Sequence, residues 1–241
     1  MGSCENSLKV FAVIVAGGRG LRMQSDRKKQ YMVLDKIPVL VRTLMVFDRH
    51  FRTDEIILVV PESDADFCRH DLIAPYEIKT PLHIVPGGIT RQDSVNNGLD
   101  KVDKLSANPK TTLVSVHDGV RPFVSPELVD ACLDKAMETG ACIPSLQLTD
   151  TIKMSKGGTQ VNETLDRSRL YSAQTPQVFR LDLILSAFTH AEKTGFSGTD
   201  EASVLEHAGI PVHMVPGALF NIKLTTPRDL DLADFLLSRN L

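Results

Sequence analysis

The sequence predicts an α/β fold, a doubly wound and mostly parallel sheet with helices on both faces. Strand-like and helix-like segments alternate along most of the chain, which is the order that winds helices around a parallel sheet. The strand-like segments are continuously apolar, as strands buried on both faces are. With 241 residues and 42% hydrophobic content the chain can bury one core of α/β size, so a single domain spanning 1–241 is expected.

The first strand is Val10-Phe11-Ala12-Val13-Ile14-Val15, ending in glycines that mark a tight turn. Further strands follow at Ile56–Val60, His83–Val85, Thr112–Val116 and Ala141–Ile143, with helical patterns between them at Pro38–Arg49, Ser63–Asp71, Arg91–Lys104 and Pro126–Thr139. The rhythm breaks at about 147–172, where the polar stretch Thr149–Ser172 carries Gly157-Gly158 at its centre and apolar residues only at Ile152, Met154, Val161, Leu165 and Leu170. It reads as a protruding β-hairpin arm. So little apolar surface cannot hold a hairpin together in water, so the arm is expected to pack on a second copy of the chain, making a homodimer. A loose surface hairpin is the alternative. Helices close the chain near Leu181–Lys193, Thr199–Ala208 and Thr226–Ser238.

Composition excludes several classes of function. A net charge of −3 is wrong for a general nucleic-acid binder, which needs excess Lys and Arg over a broad face. Cys4, Cys68, Cys132 and Cys142 form no C-x-x-C pair and read as reduced thiols. No apolar run approaches membrane-spanning length, and the N-terminus has no apolar stretch before the first strand. The start Met1-Gly2 has Asn6 where a myristoylation signal wants Ser or Thr, so it reads as a solvated tail. A cytoplasmic protein without membrane or nucleic-acid partners is expected.

In a doubly wound sheet, ligands bind beyond the carboxyl ends of the strands. The loop there is Ala16-Gly17-Gly18-Arg19-Gly20-Leu21-Arg22-Met23, leading to Lys28-Lys29-Gln30. Gly17, Gly18 and Gly20 remove side chains where a backbone would approach a polyphosphate and donate its N–H groups. The loop lacks the G-K-[ST] of a P-loop, and Met23 stands where a dinucleotide fingerprint needs its third small residue. Arg19, Arg22, Arg27, Lys28 and Lys29 follow against one acid, Asp26, which asks for an anionic ligand or, more plainly, a solvated charge run. A second glycine turn, Gly87-Gly88-Ile89-Thr90-Arg91-Gln92-Asp93-Ser94, offers free amides and Ser94 to a nucleobase edge, and equally suits an ordinary strand-to-helix turn. In His117-Asp118-Gly119-Val120-Arg121, Asp118 is placed to hold Mg²⁺ or a sugar hydroxyl and Arg121 to hold a phosphate; a structural Asp–Arg pair is the alternative. His117, with no serine and carboxylate beside it, reads as a packed histidine rather than a base. Lys223 reads as part of a short apolar strand, between Ile222 and Leu224, and can point to solvent there.

These segments, joined by Asp150-Thr151-Ile152-Lys153, Asp166-Arg167, Gln174-Thr175-Pro176-Gln177 and Thr199-Asp200-Glu201-Ala202, resemble the 2-C-methyl-D-erythritol 4-phosphate cytidylyltransferases over about Val10 to Leu237. The resemblance implies a Rossmann-like nucleotidyltransferase fold, CTP and a polyol phosphate as substrates, and Mg²⁺ as cofactor. It implies Arg22 and Lys29 at the α-phosphate in the transition state, and Arg167, reaching the other subunit's site through the arm, with Lys223 positioning the second substrate. Ala16 and the loop glycines belong to the nucleotide, as do Gly87, Gly88, Arg91, Ser94 and Asp118. Arg121, Thr151, Thr175 and Thr199 belong to the second substrate, and Asp118 to the metal.

Gly17, Ile89 and Gly119-Val120 depart from the commonest pattern toward a sister family, the ribitol-5-phosphate cytidylyltransferases. Asp166 to Tyr171, Asp93-Ser94-Val95 and Thr199 to Ser203 favour the methylerythritol enzyme. A CTP-binding regulatory protein would have no need of groups aimed at both substrates. An NAD-dependent oxidoreductase would need the missing third glycine.

Overall fold

The computed structural model describes residues 8–17 and 28–239. In chain order the strands are β1 (Lys9–Val15), β2 (Val33–Leu34), β3 (Ile37–Pro38), β4 (Glu55–Val60), β5 (Leu82–Pro86), β6 (Thr112–Asp118), β7 (Ala141–Gln147), β8 (Lys153–Met154), β9 (Glu163–Thr164), β10 (Tyr171–Ala173), β11 (Gln177–Arg180) and β12 (His213–Pro216). The helices are α1 (Val39–Arg49), α2 (Ala65–Phe67), α3 (Arg91–Leu105), α4 (Pro126–Thr139), α5 (Leu181–Thr194), α6 (Glu201–His207) and α7 (Pro227–Ser238).

The main sheet runs β10-β7-β11-β6-β1-β4-β5, with β12 also paired to β7. β5, β4, β1 and β6 are parallel to one another, whereas β11 enters antiparallel between β6 and β7. The chain fills the β4 and β5 side of β1 first and then crosses to β6, so the strand order reverses between β1 and β6. At that point Val15 lies level with Asp118. A doubly wound sheet opens its ligand crevice at such a reversal.

Both faces are covered because alternate residues of the central strands enter different cores. Val10, Ala12 and Ile14 of β1, with Ile56, Leu58 and Val60 of β4, pack against Leu40, Leu44 and Phe47 of α1 and Val129, Cys132 and Leu133 of α4. Phe11, Val13, Ile57 and Val59 face Val95, Leu99 and Val102 of α3 and Ile184, Ala187 and Phe188 of α5. A Cβ at Gly98 would lie 2.7 Å from Val13 Cγ1, so glycine is what lets α3 sit this close to the sheet. A smaller core of Leu34, Val39, Val120, Leu224 and Ala233 fastens α7 beside the cleft.

Two expectations need correction and three strands need adding. The helix at Ser63–Asp71 is one irregular run: a 3₁₀ turn at Glu62–Asp64, the single α-turn α2, and a π-helical segment at Cys68–Ile73. Lys223 lies in irregular chain rather than a strand, because Asn221 and Leu224 are tied to other loops instead of a ladder. β10, β11 and β12 were not foreseen, since they are short and carry no long apolar run. Between β7 and β10 the chain forms an exposed hairpin, with Lys153 opposite Thr164 and Met154 opposite Glu163.

Candidate active site

A cleft of about 910 Å³ opens beyond the carboxyl ends of β1, β4, β5 and β6. It gathers Ala16, Gly17, Lys28 and Lys29 on one side, Gly87, Gly88, Arg91 and Ser94 on another, and Asp118 and Lys223 on a third. Gly18, Gly20 and Arg22 lie outside the described residues.

The turn after β5 is shaped by crowding. Ser94 Oγ accepts from the Gly88 N–H at 3.0 Å and donates to the Thr90 carbonyl at 2.9 Å, so its hydroxyl holds the glycine turn in place. A Cβ at Gly88 would stand 2.2 Å from Asp93 Cβ, so only glycine fits. Asp93 in turn closes a reciprocal cap with Thr90 at the start of α3. The amino end of α3, with Thr90, Arg91 and Ser94, thereby borders the cleft and favours negative charge there.

Asp118 is the electrostatic centre. It is 6% exposed, and its Oδ2 lies 2.9 Å from Lys223 Nζ and 3.4 Å from Arg121 Nε, while Oδ1 lies 3.5 Å from Arg91 Nη2. Burial alone would raise its pKa, but Lys223, Arg91 and Arg121 hold it far below the usual carboxylate range. Arg91 also forks onto Glu201, which is 1% exposed, through Nη1 to Oε1 and through Nη2 to Oε2 at 3.1 Å. Burial pushes the Glu201 carboxyl up, against the pull of Arg91. Three cations against two carboxylates leave this group one positive charge in excess. With Lys29 across the cleft, the site suits a polyanion.

Behind Asp118 the hydrogen bonds have one direction. The Asp118 N–H donates to Thr175 Oγ1 at 3.1 Å, and the Thr175 hydroxyl lies 3.0 Å from His117 Nδ1. His117 Nε2 is 3.1 Å from the Arg121 carbonyl, which can only accept, so Nε2 carries the ring proton and Nδ1 accepts from Thr175. Burial lowers the His117 pKa to about 4, which keeps the ring neutral and suited to this role. Arg121 Nη1 donates to the Asn221 carbonyl at 2.7 Å, and Asn221 Nδ2 donates to the Thr175 carbonyl at 2.7 Å. Thr175 and Arg121 thus brace Asp118 and Lys223 from beneath and are not among the residues bordering the cleft.

Thr199 is exposed just before α6, on a segment stitched down by Gln92, which accepts from the Gly198 N–H at 2.9 Å, and by Gln177, which donates to Asp200 at 2.8 Å. Thr151 and Arg167 are exposed on the hairpin, where Arg167 Nη1 donates to the Thr149 carbonyl. Within this chain the structure does not bring these hairpin residues to the cleft border. Sequence reasoning gave Glu201 no role, although a glutamate that opens an apolar helix as Glu201-Ala202-Ser203-Val204-Leu205 signals a carboxylate in need of a buried cation.

Among the described residues no cluster of three or more His, Cys, Asp or Glu could hold a metal ion. The cleft carries two carboxylates, Asp118 and Glu62, on different walls, and Asp118 alone beside the cations is a donor set that fits Mg²⁺ held mainly by substrate phosphates and water. No helix among the described residues is long and apolar enough to cross a membrane.

The model of the IspD family, 2-C-methyl-D-erythritol 4-phosphate cytidylyltransferase, matches residues 10–239. The chain is 44% identical over 231 residues to the 2-C-methyl-D-erythritol 4-phosphate cytidylyltransferase of Syntrophus aciditrophicus, covering 96% of this chain and 97% of that one. It is 42% identical to the protein of the same name from Bacillus velezensis, over 95% and 96% of the two chains. Among solved structures, the 4-diphosphocytidyl-2C-methyl-D-erythritol synthase of Anaerococcus prevotii superposes with a TM-score of 0.81 at 32% identity, covering 98% of each chain. The cytidylyltransferase of Thermus thermophilus does so with a TM-score of 0.75 at 29% identity, over 96% and 99% of the chains.

Proposed function

Because the chain belongs to the IspD family of 2-C-methyl-D-erythritol 4-phosphate cytidylyltransferases, we propose that it transfers CMP from CTP to 2-C-methyl-D-erythritol 4-phosphate, a step of isoprenoid biosynthesis. The observation that carries the reading is the convergence of Arg91, Arg121 and Lys223 on Asp118, opposite Lys29, at the β1/β6 reversal. That arrangement supplies cations to two anionic partners from opposite walls.

In the proposed reaction a phosphate oxygen of the polyol phosphate forms a bond to the α-phosphorus of CTP. The bond from that phosphorus to the β-phosphate bridge breaks, and pyrophosphate leaves with its electron pair. The attacking phosphate is already ionised near neutral pH, so no general base is needed, consistent with a neutral, buried His117. Catalysis then rests on position and charge. Lys29, with Arg22, meets the charge that grows on the α-phosphate, while Gly87, Gly88 and the end of α3 seat the base. Lys223 anchors the second phosphate, with Arg121 and Thr175 bracing it from beneath through Asp118 and Asn221, and Thr199 beside the site. Mg²⁺, with Asp118 as its protein ligand, would neutralise charge on the triphosphate. The hairpin is proposed to pair two copies in the cytoplasm and to carry Thr151 and Arg167 into the partner's site; its small apolar surface supports this, since alone it buries little.

The test is pyrophosphate release from CTP and Mg²⁺ with 2-C-methylerythritol, ribitol and glycerol phosphates offered in turn. Methylerythritol phosphate is expected to give the highest kcat/KM, and a clear preference for ribitol phosphate would overturn the proposal.

A further inference from the structure

Lys29 is flanked by residues that are each tied to another part of the fold. Before it, the Lys28 ammonium donates to both oxygens of the Asp64 carboxylate, at 2.7 Å to Oδ1 and 2.6 Å to Oδ2. After it, buried Gln30 donates from Nε2 to the Ala16 carbonyl at 2.8 Å, and the Tyr31 hydroxyl donates to Asp64 Oδ2 at 2.7 Å. The backbone closes the same turn, with the Tyr31 N–H donating to the Lys28 carbonyl at 2.9 Å. Asp64 therefore grips both ends of the short turn that carries Lys29.

Asp64 is itself fixed. It ends the 3₁₀ turn that follows β4, its N–H donates to the Pro61 carbonyl at 2.8 Å, and Ser63 Oγ donates to its Oδ1 at 3.0 Å. Tyr31 stands edge-on to the Phe67 ring, centroids 5.3 Å apart, and Cys68 Sγ reaches the tyrosine oxygen at 3.5 Å. Two bonds from Lys28, one from Tyr31 and one from Ser63 fill the acceptor capacity of a carboxylate, which leaves the turn no room to slide. Burial would raise the Asp64 pKa, but the bonds from Lys28, Tyr31 and Ser63 outweigh it and hold the group below its ordinary value, ionised near neutral pH. An ion pair this near the surface adds little stability, so its consequence is geometric.

We propose that Asp64 is a positioning residue for nucleotidyl transfer: by gripping Lys28 and Tyr31 it aims Lys29 at the reacting phosphate and keeps the Lys28 ammonium engaged outside the reaction. This rests on the role given to Lys29 above. It explains why two adjacent lysines border one cleft with different tasks, and why the irregular segment that starts at Glu62 begins at the cleft border.

The experiment compares pyrophosphate release by the full-length wild type with Asp64→Asn, Tyr31→Phe, Lys28→Met and Lys29→Ala, with KM for each substrate and a thermal melt of each variant. Asp64→Asn is expected to lower kcat roughly 10- to 100-fold, the scale of an ångström-level misplacement, with KM for the polyol phosphate within about threefold of wild type. Adding Lys28→Met to Asp64→Asn is expected to cause little further loss, because both break the same grip. A purely structural role predicts instead that the loss tracks the unfolded fraction and disappears on cooling far below the melting midpoint; that result overturns the proposal. Should Asp64→Asn fail to fold, Tyr31→Phe, which deletes one hydroxyl, carries the test with the same split of kcat from KM, and a wild-type kcat there overturns it. Inactive Lys29→Ala beside fully active Asp64→Asn overturns the positioning role alone, whereas near-normal Lys29→Ala removes the reading of Lys29 and this proposal with it.

Discussion

Replacing Glu201 with glutamine tests the charge network at its most buried point. Glu201 is 1% exposed and holds the Arg91 fork, and Arg91 in turn reaches Asp118. Removing one member of a buried ion pair costs about 3–5 kcal/mol when the other is stranded. Here the loss is smaller, because glutamine keeps an acceptor for Arg91, Arg91 keeps Asp118 at 3.5 Å, and its side chain is 32% exposed to water. We therefore expect about 2–3 kcal/mol, which for a chain of this size lowers Tm by roughly 4–12 °C. The chemistry should suffer too: an Arg91 with one carboxylate partner competes with Lys223 for Asp118, and a kcat loss of about tenfold is expected. Thermal melts and pyrophosphate release on the same preparation measure both effects. A Tm within about 1 °C of wild type together with an unchanged kcat would show that Glu201 does not hold Arg91, and the electrostatic account of the cleft would fall.

Gly88→Ala places a methyl 2.2 Å from Asp93 Cβ and must push the turn away from α3, so KM for CTP should rise at least about tenfold with little change in Tm; an unchanged KM would show that the turn does not seat the nucleotide. His117 is neutral in the folded chain, with a pKa pushed down to about 4 from 6.5, whereas the unfolded chain takes up a proton below 6.5. Its contribution is complete above pH 6.5 and is lost as pH falls toward 4, about 3 kcal/mol in all. Urea melts across that window should show wild type losing stability faster than His117→Asn, and parallel curves would refute the assignment. For the hairpin, mixing inactive Arg167→Ala with inactive Lys223→Ala should restore about a quarter of wild-type activity if each site draws Arg167 from the partner, and no recovery after subunit exchange would refute shared sites.

The sheet was legible because its central strands carry their own signature. Val10 to Val15 and Ile56 to Val60 are apolar at every position, and both faces of each are indeed buried. β11 escaped notice for the opposite reason: only four residues long, it is read as sheet only once β6 and β7 are in place on either side. The same contrast holds in the cleft. Glycine turns and the cations Lys29 and Arg91 declare themselves by type and by their place after strands, and Lys223 declares itself as a charge set between Ile222 and Leu224. Glu201, Asp64 and the direction of the Thr175–His117 chain do not, because a carboxylate in a helical pattern looks solvated until its partner, 110 residues away in Arg91 or 36 away in Lys28, is brought to it.

That distinction bears on how such a site accelerates transfer. Cations waiting in water would have to be desolvated and oriented as the negative charge develops, at a cost in reorganisation that erodes the gain. In this chain Arg91 is held by Glu201 and Asp118, Lys223 by Asp118, Arg121 by Asp118 and the Asn221 carbonyl, and Lys28 by Asp64. The carboxylates lower the net charge of the site but fix where each cation stands. An excess of one positive charge around Asp118, already oriented, is then worth more to a phosphoryl transition state than a larger, mobile excess. It follows that adding charge by neutralising Glu201 or Asp64 should slow the reaction even where it tightens CTP binding, whereas a site governed by net charge alone would show kcat rising with each carboxylate removed.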